Sequence, residues 1–143
     1  MTLRPQRGSI PLATPNALSQ IFWEGCRRGE LLYQAFDDSS TPQFSPTHRS
    51  RVSGSREFTW KTSRGSGIVY SYTVVWRPQT PAFEVPYVVA IVELDEGYHM
   101  ISNIIGCEPD DVHVGQRVQV EFHVVDDDVA LPYFRPADEA VTA

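Results

Sequence analysis

The feature that most constrains the fold is a series of five β-patterned segments in the second half of the chain. They cover residues 67–78, 87–94, 98–105, 117–125 and 129–136. Each is rich in β-branched or aromatic residues, and glycine, proline or aspartate residues mark the turns between them. The short connection at 95–97 predicts a hairpin between the second and third segments. Five strands separated by such turns predict a mainly β domain built as a small closed or partly closed barrel.

The first half of the chain is less regular. Residues 1–15 contain Pro, Gly and Arg without periodicity, which predicts a flexible extended arm that only a partner would hold in place. Residues 16–34 carry apolar residues at helical spacing, with Asn16 as the N-cap, and the break at Gly29 predicts a helical hairpin. Residues 35–60 lack any sustained hydrophobic period, which is typical of a functional loop, a disordered linker or a small module that has lost its stabilising cross-link.

The net charge of −6 is unevenly distributed along the chain. Residues 1–65 carry nine Lys/Arg against five Asp/Glu, a net +4, whereas residues 66–143 carry three against thirteen, a net −10. Because nucleic-acid binding requires neutralisation of phosphates, the acidic half argues against a general nucleic-acid-binding protein. The basic half could meet a small phosphorylated ligand or an acidic partner.

Location is predicted from what the sequence lacks. No apolar run approaches the roughly 20 residues that a membrane helix needs, and the N-terminus has no apolar segment of signal-peptide length. The two cysteines, Cys26 and Cys107, are far apart and indicate buried thiols rather than a disulfide framework. We therefore expect a cytoplasmic protein that does not contact membranes.

Several stretches of the sequence, in this order, recur in one known family. They are FWEGCRRGELLYQ (22–34), GIVYSYTVVWRPQTPAFEVPYVVAIVELDEG (67–97), SNIIGCEPDDVHVGQRVQVEF (102–122) and LPYFRP (131–136). They closely resemble the acyl-CoA-associated family that joins a rubredoxin-like zinc ribbon to an OB-fold, formerly a domain of unknown function. The resemblance implies a helical hairpin at 16–34, a ribbon-like module at 35–60, a five-stranded OB-fold barrel at 61–137 and a tail at 138–143.

The resemblance also implies a role. Relatives are partners of thiolase-like enzymes, including acyltransferases, thiolases and the aldolases of steroid side-chain breakdown, and some are fused or bound to hydratases. The thiolase-like subunit carries the nucleophile in these assemblies. For this chain, the resemblance implies a non-catalytic accessory subunit in lipid metabolism that helps form the acyl-CoA site of a thiolase-like partner. A coenzyme A thioester is the candidate ligand, and no tightly bound cofactor is expected.

The zinc ligands of the family are missing from this sequence. The two C-x2-C pairs of the family's ribbon fall, in register, on Phe36, Ser39, Ser50 and Ser53. Structural zinc needs four nitrogen, sulfur or carboxylate ligands in a tetrahedral array, and nearby side chains such as His48 do not rebuild that set. We therefore expect a degenerate, metal-free ribbon that relies on side-chain packing.

Two groups of residues are candidate contact sites. The basic group comprises Arg49, Arg51, Arg56, Lys61 and Arg64, which lie in or beside the degenerate ribbon. Guanidinium groups pair bidentately with phosphates and carboxylates, so contact with coenzyme A or an acidic partner face is expected, the alternative being a solvated surface.

The second group comprises Phe22, Trp23, Trp76 and Phe83, which we expect to contact a partner or an acyl chain. Aromatic residues are common interface anchors. The alternative for each is packing against the protein's own core.

No catalytic site is predicted. His99, His113 and His123 could act as acids or bases, but they form no recognisable catalytic constellation. Two other functions stay open: a small acyl-CoA hydratase or thioesterase, and a module for single-stranded nucleic acids. In the latter, aromatic side chains such as Tyr70 and Tyr72 would stack on bases, although the acidic barrel half argues against it.

Overall fold

The computed structural model describes residues 1–37, 42–126 and 128–137. Within these ranges the chain forms one α-helix, eight strands and a short 3-10 turn at Pro109–Asp111. The elements are α1 (Ser19–Arg27), β1 (Leu31–Phe36), β2 (Pro42–Gln43), β3 (Phe58–Ser63), β4 (Ser66–Val75), β5 (Tyr87–Leu94), β6 (His99–Ile104), β7 (Arg117–Asp126) and β8 (Val129–Pro136). The predictions for Ser39 and for the tail at 138–143 lie outside the described residues.

Strands β4 to β8 close into a barrel in the order β4-β5-β6-β8-β7, and β7 pairs back onto β4. Neighbouring strands are antiparallel except β6 and β8, which pair in parallel at Ile104 and Phe134. Val69, Val92 and Val118 point into the barrel and are fully buried. Burying a side chain of this size contributes about 1.5–3 kcal/mol to folding. The predicted five-stranded OB-fold barrel and its β5–β6 hairpin are confirmed.

The first three strands form a separate small sheet in the order β2-β1-β3. The predicted second helix of the hairpin is wrong, because Leu31–Phe36 form the central strand of this sheet. Gly29 has a φ of +80° and turns the chain out of α1. Strand β3 continues to Ser63, so the barrel begins at Ser66 rather than at residue 61.

Helix α1 packs one face against the barrel. Asn16 and Ser19 exchange reciprocal hydrogen bonds at the start of the helix: the Ser19 N–H donates to Asn16 Oδ1 at 2.7 Å, and the Asn16 N–H donates to Ser19 Oγ at 3.0 Å. This satisfies one of the backbone donors that a helix N-terminus leaves open. Phe22 and Cys26 are buried on the inner face. Within the described residues, no helix is long and apolar enough to cross a membrane.

The N-terminal arm lies along the barrel. The Leu3 N–H donates to the Cys107 carbonyl at 2.7 Å, the Gly106 N–H donates to the Leu3 carbonyl at 2.9 Å, and Leu3 is buried. The Arg7 guanidinium donates two hydrogen bonds to the Glu84 carboxylate. The arm is extended as predicted, but the expectation that it would be held only by a partner is wrong, since the barrel itself holds it.

Candidate functional site

A tight turn at residues 50–55, called here the Ser50 turn, forms the tip of the small sheet's long connection. The Ser50 N–H donates to the Ser55 carbonyl at 2.8 Å, and the Gly54 N–H donates to the Ser50 carbonyl at 2.9 Å. Gly54 has a φ of +78°, a conformation that favours glycine. Inside the turn, Ser50 Oγ accepts the N–H groups of Val52 and Ser53. Most backbone N–H groups of this turn are therefore satisfied within the turn.

Two glutamine side chains of the small sheet hold the connection that leads into this turn. Gln34 Nε2 donates to the Thr47 carbonyl at 2.7 Å. The Thr47 N–H donates to Gln34 Oε1 at 2.9 Å. Gln34 is fully buried, which makes this pair costly to lose. The neighbouring Gln43 accepts the Arg51 N–H at 2.7 Å. The sequence reasoning missed these two residues, because a lone glutamine between apolar residues is typical of a solvent-facing position.

The residues at the family's zinc positions do not fit a structural zinc ion. Phe36 has no ligating atom and is buried against Phe58, with ring centroids 5.3 Å apart. Ser50 Oγ is already engaged by two N–H groups. Among the residues that the structure describes, no three His, Cys, Asp or Glu side chains come together as metal ligands. That the ribbon carries no metal stays a prediction, and direct metal analysis would test it.

The five predicted basic contact residues are all exposed, but they fall into two groups. Arg49, Arg51 and Arg56 surround the Ser50 turn, whereas Lys61 and Arg64 lie at the barrel end of β3. The six residues of β3, which rise about 3.3 Å each and span roughly 20 Å, lie between Arg56 and Arg64. Among the described residues, no carboxylate lies within salt-bridge distance of any of the five. The Ser50 turn and its two flanks in sequence therefore carry three exposed arginines.

The junction between the small sheet and the barrel is closed by Glu96. Its carboxylate accepts the Ser63 hydroxyl at 2.7 Å and the Arg64 N–H at 2.9 Å. Beneath it, the Tyr33 and Tyr98 rings stack with centroids 5.0 Å apart. Burial raises the pKa of Tyr98 well above the usual phenol value, so this residue stays a neutral part of the packing. The two sheets are thus joined by packed aromatic rings and a carboxylate that accepts two hydrogen bonds.

The predicted aromatic contacts have different environments. Phe22 is only 4% exposed and packs edge-on against Trp23 and Phe44, so its prediction as a partner contact is wrong. The helical spacing of Phe22 indicated an apolar face of α1, and this face packs against the protein's own core. Trp23 is half-buried against the same cluster. Phe83 is half-buried and stacks on Tyr87, with centroids 5.8 Å apart.

Trp76 is the most exposed of these aromatic residues, at 65%. It borders a cavity of about 280 Å³ together with Met1, Pro86, Glu108 and Asp110. An exposed indole beside a recess has the shape of an interface anchor. The position of Trp76 agrees with the predicted contact role, and the role itself stays a prediction.

The barrel also exposes large side chains outside the two predicted contact groups. Ile101 is 68% exposed and lines a second cavity of about 280 Å³ with Ile91 and His99. Tyr70 is 53% exposed, and its ring lies 4.5 Å from that of His99. The alternation of β6 contains the signal, because Ile101 shares the outward face with His99.

A third recess lies between the N-terminal arm and the outer surface of the barrel. It encloses about 420 Å³ and is lined by Arg4, Arg7, His123, Val124 and Tyr133, among others. The sequence did not predict it, because an arm without periodicity gives no indication of where it docks.

The histidines and cysteines within the described ranges lie in separate places on the fold. His99 contacts Glu93 at 3.3 Å, and His123 contacts Glu121 at 2.7 Å, on separate parts of the barrel surface. Burial raises the pKa of the Cys26 thiol to about 12. A thiol is nucleophilic only as the thiolate, so Cys26 is inert at neutral pH.

Several known proteins are similar to this chain in sequence and in fold. The family model described as the ChsH2 C-terminal OB-fold domain matches residues 60–123. A solved structure described as the Ltp2-ChsH2(DUF35) aldolase contains a chain 34% identical to this one, with a TM-score of 0.81. That match covers 89% of this chain and 100% of the other. A DUF35-family crystal structure from Sulfolobus solfataricus, 10% identical with a TM-score of 0.59 over 85% of this chain and 87% of its own, shares the fold.

The curated relatives are longer proteins. A probable enoyl-CoA hydratase alpha subunit of Thermomonospora curvata is 40% identical over 96% of this chain and 46% of its own length. The 3-oxo-4,17-pregnadiene-20-carboxyl-CoA hydratase alpha subunit of Mycobacterium tuberculosis is 33% identical over 71% of this chain and 32% of its own. A DUF35 domain-containing scaffold protein of Methanocaldococcus jannaschii is 40% identical over 45% and 46%. The chain thus spans less than half the length of these relatives.

Proposed function

Because the chain belongs to the DUF35 family of OB-fold proteins, we propose that it is a non-catalytic accessory subunit of an acyl-CoA enzyme. Its proposed partner is a thiolase-like aldolase or acyltransferase, whose acyl-CoA site the bound chain helps to form. The observation that carries the proposal is the match over the full length of the DUF35 chain in the Ltp2-ChsH2(DUF35) aldolase. A scaffold protein among the relatives supports the same role.

The surfaces of the chain support a partner more than a catalytic site. Trp76 projects beside its recess, and Phe83 stands half-buried in the adjoining proline-rich loop. Truncating a central interface tryptophan typically costs about 2 kcal/mol or more, or roughly 30-fold in Kd. Phe22, in contrast, contributes through the core that supports these elements.

The Ser50 turn is the proposed contact for coenzyme A. Its three arginines are exposed and lie in or beside one hydrogen-bonded turn, and planar guanidinium groups suit phosphates. The two hydratase subunits among the relatives are named for CoA thioesters, which supports a ligand of this class. Lys61 and Arg64, at the far end of β3, are assigned instead to contact with the partner protein.

Co-purification tests the proposal. The tagged chain is expressed with the thiolase-like protein encoded nearest to it, and both are followed through size exclusion. A stoichiometric complex is expected, and Trp76→Ala is expected to weaken it strongly. Val124→Ala is the matched control, because Val124 is also exposed, at 75%, but lies on the β7–β8 hairpin. Separate elution of the two wild-type proteins would contradict the proposal.

The coenzyme A contact has its own test in the assembled complex. Replacing Arg49 and Arg51 with glutamine is expected to raise KM for the acyl-CoA at least about ten-fold, since a single charge-assisted hydrogen bond contributes about 1.5–3 kcal/mol. The complex should still form. Arg28→Gln is the control, because Arg28 is also exposed but lies between α1 and β1, away in sequence from the Ser50 turn. An unchanged KM in the double variant would show that the Ser50 turn does not contact the acyl-CoA.

Two rival functions keep specific observations in their favour. The similarity to hydratase alpha subunits favours a small hydratase, which turnover of an enoyl-CoA by the isolated chain would establish. The exposed rings of Tyr70 and Tyr72 favour stacking on single-stranded nucleic acid, which salt-sensitive oligonucleotide binding would establish.

A further inference from the structure

The outer edge of the small sheet is a row of open backbone groups. Strand β3 pairs with β1 on one side, and it is the end strand of the order β2-β1-β3. An edge strand presents N–H and C=O groups that can pair with another extended chain. We propose that the β3 edge binds an extended, acidic segment of a protein partner by adding it as a fourth strand.

The register identifies which groups are open. The Asp37 N–H donates to the Glu57 carbonyl at 3.0 Å, and these two residues continue the pairing of Phe36 with Phe58. Hydrogen-bonded pairs alternate in an antiparallel ladder. Thr59, Lys61 and Ser63 therefore turn their backbone groups toward β1.

The remaining residues of the strand, Phe58, Trp60 and Thr62, turn their backbone N–H and C=O groups to the outside. Across the part of the chain that the structure describes, no other group forms a hydrogen bond with these outward donors and acceptors. Three successive open positions give a partner strand a defined register.

The charges beside the edge identify the kind of occupant. Residues 56–64 carry three cations, Arg56, Lys61 and Arg64, and one anion, Glu57. The three cations are exposed, and no described carboxylate lies within salt-bridge distance of them. On the face of Lys61, a strand with acidic side chains at alternating positions would place a carboxylate beside the Lys61 ammonium group, and Arg56 and Arg64 flank the two ends of β3.

The same charges disfavour a second copy of this chain. In an antiparallel pairing of two β3 edges around Trp60, Arg56 of one copy would lie near Arg64 of the other. Lysine and other charges on edge strands commonly prevent such self-pairing. The partner is therefore a different protein whose extended segment is acidic. This inference rests on the proposed function only in requiring a protein partner.

The test uses a peptide in place of the unidentified partner. The isotope-labelled chain is titrated by NMR with a short peptide in which glutamate alternates with valine, and with a counterpart in which lysine replaces glutamate. The expected result is saturable shifts of the amides at 58, 60 and 62 with the acidic peptide only, together with cross-strand contacts to it. Equal binding of both peptides, or no shifts at β3, would overturn the inference.

Matched variants distinguish the contribution of a backbone N–H to peptide binding from that of the side chain. Thr62→Pro removes an outward N–H, and proline is tolerated on edge strands at such positions. Thr62→Ala keeps that N–H. Peptide binding is expected to weaken about two- to ten-fold in Thr62→Pro relative to Thr62→Ala, the value of one hydrogen bond. Equal binding in the two variants would overturn the inference.

Two further readouts keep the inference testable if the proline variant fails to fold. Lys61→Glu is expected to reduce binding of the acidic peptide and to increase that of the basic one, and the opposite result would overturn the charge argument. Concentration-dependent dimerisation through β3 would show that a second copy is the occupant. Neither the enzyme nor coenzyme A is present in these titrations, so their outcome is independent of the co-purification.

Discussion

Replacing Gln34 with leucine perturbs the hydrogen bonds that hold the connection leading to the Ser50 turn. Leucine has a similar volume but can neither donate to the Thr47 carbonyl nor accept from the Thr47 N–H. Both hydrogen bonds are short, at 2.7 and 2.9 Å, and the glutamine is fully buried. The substitution therefore removes two hydrogen bonds and leaves both backbone groups of Thr47 without a partner.

The expected cost follows from these contacts. Each net hydrogen bond contributes about 0.5–1.5 kcal/mol, and each orphaned buried group costs about 1–3 kcal/mol. Thr47 is half-buried, so water can reach part of it, and the lower values apply to its backbone groups. We expect the free energy of unfolding to fall by about 2–4 kcal/mol. For a chain of this size, that is a decrease in Tm of roughly 4–16 °C.

Urea and thermal unfolding of three variants measure this effect. Gln79→Leu, at an exposed loop position, is the control and should stay within about 0.5 kcal/mol of the wild type. Gln34→Glu should be destabilised at pH 7, because a carboxylate cannot donate to the Thr47 carbonyl. Burial raises the pKa of a carboxyl group at this position, so the lost stability should partly return as pH falls and the group protonates. A Gln34→Leu variant as stable as the control would contradict the stabilising role of the two hydrogen bonds between Gln34 and Thr47.

Three further predictions concern the thiols, the arm and the metal. Ellman's reagent at pH 8 should leave Cys26 unmodified until denaturant is added, whereas rapid labelling of the native chain at Cys26 would contradict its burial and its pKa of about 12. The hydrogen bonds from Arg7 lower the pKa of Glu84, so this contact stabilises the docked arm above the usual carboxyl pKa and is lost as pH falls through the lowered value. The Arg7 Nε–H resonance should follow that loss and be absent from its docked position in Glu84→Gln at any pH. The purified chain should contain far less than one zinc per molecule, and EDTA should leave its Tm unchanged; stoichiometric zinc would contradict the metal-free ribbon.

The barrel could be predicted from the sequence because its strands alternate strongly and their turns are marked. The β5–β6 hairpin, for example, has apolar strands on either side of a turn containing Gly97. Strand β1 was mistaken for a helix because Leu31 and Leu32 continue the helical spacing of the preceding residues. What ends the helix is Gly29, and what makes β1 a strand is long-range pairing with β3, which local spacing does not contain.

The site was only partly predictable for a similar reason. Composition indicated exposed arginines, and the structure places all of them at the surface. Composition did not indicate that the predicted basic residues divide into two groups, since the distance between Arg56 and Arg64 depends on the strand between them. The buried Gln34 and the docked Leu3 were missed because their roles depend on backbone groups far away in the sequence.

Reconstitution of activity tests the central claim most directly. Acyl-CoA turnover is measured for the isolated chain, for its thiolase-like partner, and for the two together at increasing ratios. We expect no turnover by the chain alone and an increase in the partner's kcat/KM that saturates at a fixed stoichiometry. Turnover by the chain alone, or a partner whose kinetics do not change when the chain is added, would contradict the account.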